Sequence, residues 1–84
     1  MKPQAVSALY AVESHIEAVV ADDSKAEAEF AAAAKWVGYL DADQLLALHN
    51  RCAEIMIPVE APSGRNLVAW GAFTGTLLDA IGAA

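Results

Sequence analysis

One cysteine, two histidines and five basic residues are all that this 84-residue chain holds of the side chains that most often build disulfides, metal centres and nucleic-acid interfaces. The lone Cys52 excludes an intramolecular disulfide framework and suits a reducing compartment. No cysteine or histidine pair stands at the spacing of a local zinc motif. Eleven acids against five bases give a formal charge of −6, which disfavours direct contact with nucleic acid or with an anionic membrane surface. The most apolar stretch, residues 67–78, runs for 12 residues without a charge, whereas a bilayer span needs about 20. After Lys2 the apolar residues are interrupted by Glu13, His15 and Glu17 before an export signal of useful length accumulates, so the expected location is cytoplasmic.

Machinery for chemistry is equally scarce. No serine stands in a nucleophile elbow, and the acidic pairs Asp22 with Asp23 and Asp41 with Asp43 fall where helix N-termini favour acids. The segment 61–66 has one glycine, too few for a phosphate cradle, although Ser63 and Arg65 near a helix start offer an anion two donors. The expectation is a protein without enzymatic activity, cofactor or catalytic residue.

What the chain does have is apolar surface at helical spacing. Apolar residues make up 57% of it and 20 of its 84 residues are alanine, a composition that favours closely packed helices and excludes disorder. The periodicity predicts one all-α domain over residues 1–84, a small four-helix unit with helices at about 4–21, 24–39, 42–57 and 66–82. In the first helix Ala5, Leu9, Val12, Ile16 and Val19 form a narrow stripe, with His15 at its margin. Ser24 with Glu27 matches a capping box for the second, whose stripe is Ala26, Phe30, Ala33, Val37 and Leu40 and whose stop is Gly38. Asp41 with Gln44 repeats that signature before the third helix, where Leu45, Leu46, Leu48, Cys52, Ala53, Ile55 and Met56 share a broad arc opposite Asp43, Gln44, Asn50, Arg51 and Glu54. Pro58 ends it, and the connector 59–65 leads to a last helix capped by Ser63 or Asn66.

That last helix, residues 67–81, is expected to be central. Trp70, Phe73, Leu77, Leu67, Val68, Leu78 and Ile81 span most of its circumference, which implies burial on several sides. Gly71 and Gly75 are expected to let a neighbouring backbone approach closely.

Trp36-Val37-Gly38 is a W-x-G triplet, and Tyr39 followed by Asp43 gives Y-x-x-x-D; both are similar to motifs of the WXG100 family of small secreted helical hairpins. The resemblance covers only the eight residues 36–43. In that family the triplet marks a hairpin turn and the tyrosine motif lies far downstream, whereas here the two overlap and further helices follow, so secretion by that family's route is not inferred.

Three functional expectations follow. The first is a small acidic accessory, regulatory or inhibitor module of the kind bacteria and their phages encode, acting by association with a protein partner or with itself through Trp36, Tyr39, His49, Met56, Trp70 and Phe73. The second is a ligand- or metal-binding domain centred on His49 and Cys52, with His15 or Asp79 as a third ligand; without metal, His49 is expected to bond Asp79 or Thr74. The third is an acidic mimic of nucleic acid that binds a DNA-binding protein through Glu13, Glu17, Asp22, Asp23, Glu27 and Glu29.

Overall fold

The computed structural model describes residues 3–56 and 66–84, and the side chains of residues 7–56 and 66–84. Over that range the chain forms α1 (Pro3–Ala21), α2 (Ala26–Val37), α3 (Ala42–Met56) and α4 (Leu67–Ala83), with a short 3₁₀ turn at Asp23–Lys25. The expected all-α, four-helix architecture is therefore present. The connector 59–65, with Ser63 and Arg65, lies outside the described residues.

Two helical hairpins make the bundle. α1 packs along α2, α3 packs along α4, and α2 packs on α4 to join the halves, while α1 and α3 touch only lightly. The core takes Ala8, Val12, Ile16 and Val19 from α1, and Ala26, Phe30, Ala33 and Val37 from α2, with Leu40 just beyond. α3 adds Leu45, Leu48, Cys52 and Ile55, and α4 adds Trp70, Phe73 and Leu77. Phe30 sits at the α2–α4 seam, stacked on Phe73 at 4.6 Å between ring centroids and edge-on to Trp70 at 4.9 Å. Both geometries suit aromatic quadrupoles and supplement simple area burial.

The helix ends show which capping expectations hold. Asp41 and Gln44 form the reciprocal box: the Gln44 amide donates to the Asp41 carboxylate at 2.8 Å, and the Asp41 amide donates to Gln44 Oε1 at 3.0 Å. Gln44, expected on the polar face of α3, is buried, because a side chain folded back onto its own N-cap no longer points outward. Asn66 caps α4 by accepting from the Ala69 amide at 3.0 Å. Ser24 does not cap α2. Asp22 takes that corner instead, accepting from the Ser24 hydroxyl at 2.6 Å and its amide at 3.1 Å, which together hold the Asp22 carboxyl below its ordinary range. Gly38 ends α2 in the right-handed helical region, so no special backbone freedom is needed there.

α4 departs from expectation in one respect. It does join the two hairpins, but it is not buried on several sides: Leu67 is 57% exposed, Val68 84% and Leu78 53%. Its buried residues are Trp70, Phe73 and Leu77, with Ala69, Ala80 and Ile81 partly buried against the core. A Cβ placed at Gly71 or Gly75 would meet nothing within 4 Å, so the expected close backbone approach does not occur either.

Candidate interaction site

Four of the six acids of residues 13–29 make side-chain contacts within the bundle. Glu29 accepts from His15 Nδ1 at 2.5 Å across the α1–α2 hairpin, and Glu17 pairs with Arg51 of α3 at 3.1 Å. Asp22 is spent on Ser24. Asp23 reaches across to α4, where its carboxylate accepts from the Trp70 indole at 2.9 Å and from the Asn66 amide. Glu13 and Glu27 remain without a partner among the described residues. The Asp23 link spans 47 positions from Trp70 and has no local signature. The His15–Glu29 contact did have one, since the two residues stand equally far in sequence from the turn at Asp22.

The candidate contact residues divide in the same way. Trp70 and Phe73 are core, 0% and 2% exposed, so neither can meet a partner. Met56 is half-buried against the core. Trp36 and Tyr39 are exposed at the end of α2, with ring centroids 6.0 Å apart. The W-x-G triplet does close α2, but the main neighbours of α2 are α1 and α4, so no hairpin of the implied kind forms around it.

His49 is half-exposed and bonds neither Asp79 nor Thr74; the Thr74 hydroxyl donates to the Gly71 carbonyl within its own helix. Among the described residues no group of three histidine, cysteine or acidic side chains is placed to hold a metal ion. Cys52 is fully buried, and burial pushes its thiol up to about 11 from an ordinary 9.0. Because the folded form keeps the proton more tightly than the unfolded chain, the contribution of Cys52 to stability is complete below pH 9 and is lost as pH rises toward 11. Urea titrations should therefore show wild type losing stability relative to Cys52→Ala over that window, by at most about 1.4 kcal/mol per pH unit. A difference that stays flat from pH 8 to 11, as a comparison of the two titrations reads it, would contradict the burial.

Among the described residues, two further surfaces bear on association. The first is the outer face of α4, where Leu67, Val68, Gly71, Gly75 and Leu78 lie on one side of the helix and Asp79 is the only charge of the helix. The second is a groove of about 560 Å³ between α1 and α3, which touch only lightly. Ile16 and Leu48 form its bottom and Leu9 and Ala47 its walls, while Glu13, Glu17, Asp43 and Arg51 stand on the rims. The sequence left this groove unsuspected because each helix alone has a satisfactory apolar stripe; only the light α1–α3 contact opens it.

No helix among the described residues is long and apolar enough to cross a membrane. Compared with known proteins, the chain matches no family model, and no curated sequence or solved structure shows significant similarity to it.

Proposed function

We propose that this protein acts by protein association, as a small cytoplasmic module without catalysis or cofactor, and that it pairs with a second copy through the outer face of α4. The observation that carries this reading is the exposure of Leu67, Val68 and Leu78 around an open Gly71–Gly75 notch. Large apolar side chains gathered on one exposed helix face are the surface pattern of an association site.

The pattern on that face is self-complementary. Val68, Gly71, Gly75 and Leu78 follow spacings of three, four and three. In an antiparallel crossing centred on the two glycines, glycine meets glycine, and Val68 of each copy meets Leu78 of the other, as a two-fold interface requires. Two acidic chains can meet there because the face is nearly free of charge.

Sedimentation equilibrium tests the reading. Wild type is expected to show the dimer mass at high micromolar concentration, and Gly71→Ala with Gly75→Ala the monomer mass. The same double variant should raise the thermal stability of the dilute protein, since each change replaces a helical glycine in open space and gains roughly 0.5 to 1 kcal/mol. Monomeric wild type, or a double variant that dimerises as well as wild type, would remove the α4 pairing.

A further inference from the structure

We propose that the groove between α1 and α3 is the docking site for a basic amphipathic helix of another protein. This goes beyond self-pairing through α4 and uses none of that face.

Shape argues for a helix as occupant. The groove runs from Leu9 to Glu17 on α1 and from Asp43 to Arg51 on α3, two stretches joined by the Arg51–Glu17 pair. Nine residues of helix span about 13.5 Å, roughly two and a half turns, which suits the apolar anchors at positions i, i+3 or i+4, and i+7 of a guest helix. Among the described residues α1 and α3 touch only lightly along this stretch, and Leu9 and Ala47 still reach solvent.

Charge selects the guest. The rims offer Glu13, Glu17 and Asp43 against one cation, Arg51, which is already paired with Glu17. A guest with lysine or arginine flanking its apolar stripe meets Glu13 and Asp43 directly and can displace the exposed Arg51 from Glu17 at little cost, since such surface pairs are weak. A second copy of this chain does not fit the description. Its five basic residues, at positions 2, 25, 35, 51 and 65, place no more than one on any helix, and the copy is itself at −6.

The test is titration of the full chain with a synthetic amphipathic Leu/Lys peptide of about two heptads, against a Leu/Glu peptide of the same apolar pattern. Saturable binding of the Leu/Lys peptide is expected, weakening with added salt, with the Leu/Glu peptide bound roughly tenfold or more weakly. Ala47→Trp should abolish binding while leaving the far-ultraviolet circular dichroism and unfolding midpoint near wild type, because Ala47 is exposed and the indole fills the groove. Glu13→Gln with Asp43→Asn should weaken binding severalfold and flatten its salt dependence.

Equal binding of the two peptides, or retained binding by Ala47→Trp, overturns the assignment. So does loss of self-association rather than peptide binding in Ala47→Trp, which would make a second copy the occupant. Failure of the peptide while an apolar dye binds and is expelled by Ala47→Trp would instead mark a small-molecule pocket. Val68→Asp separates the two surfaces: it should abolish α4 pairing and leave peptide affinity unchanged.

Discussion

Trp70→Ala is expected to leave the protein largely unfolded at 25 °C. Trp70 is fully buried at the seam between the hairpins, edge-on to Phe30, and its indole donates to Asp23 at the α1–α2 corner. Deleting a buried tryptophan costs about 3 to 5 kcal/mol in lost transfer energy and residual cavity. That matches the whole net stability available to a domain of this size, about 3 to 5 kcal/mol. Two milder variants divide the effect. Trp70→Phe keeps most of the ring packing and drops the bond to Asp23. Asp23→Ala keeps the ring and removes an acceptor shared by the Trp70 indole and the Asn66 amide, at about 1 to 3 kcal/mol. Guanidinium unfolding followed by circular dichroism should rank stability as wild type, then the two milder variants, then Trp70→Ala. If Trp70→Ala unfolds within a few degrees of wild type in a thermal scan, the seam is not where the fold is held.

Ala33→Leu is expected to cost about 1 to 3 kcal/mol through overpacking. Ala33 is 0% exposed in the core stripe of α2, in line with Ala26 and Val37, where the residues of α1 at Ala8 and Val12 are also fully covered. Small side chains there set how closely the helices approach, and an isobutyl group has nowhere to go without separating them. For a domain this small, each kcal/mol lowers the unfolding midpoint by roughly 4 to 8 °C. The neighbouring exposed Ala34→Leu serves as control and should shift the midpoint little. Equal midpoints for the two variants would mean that the alanine stripe does not control the packing distance.

These effects mirror what could be read along the chain. The α2 stripe of Ala26, Phe30, Ala33, Val37 and Leu40 is buried as its spacing implies, because a helix with one clear stripe has one way to face a core. The Asp41–Gln44 box and the Asn66 cap are local contacts between residues three apart, so their geometry follows once the helix forms.

Wide arcs were less informative. On α3 and α4 the apolar residues exceed what one neighbouring layer covers, and periodicity ranks directions around a helix without saying how many neighbours will arrive. Leu46, Leu67, Val68 and Leu78 are exposed for that reason, and Trp70 and Phe73, which looked suited to a partner, were taken by Phe30 and the core. The acidic stretch was similarly ambiguous: Asp23 and Glu29 carry the same charge as Glu13 and Glu27, yet one holds Trp70, the other His15, and the last two hold no partner among the described residues.

By itself, then, the amino-acid sequence determined four helices, the Asp41–Gln44 and Asn66 caps, a lone cysteine on the apolar arc of α3 and a negative overall charge. All of these depend on contacts within a few residues or on simple composition. Only tertiary structure decided that α2 and α4 share the aromatic seam, that Asp23 clasps the start of α4, and that α1 and α3 touch only lightly, leaving an acid-rimmed groove. Those outcomes depend on which helix lies beside which, a choice among nearly equivalent apolar stripes that is made by the fit of side chains 14 to 47 positions apart in the chain.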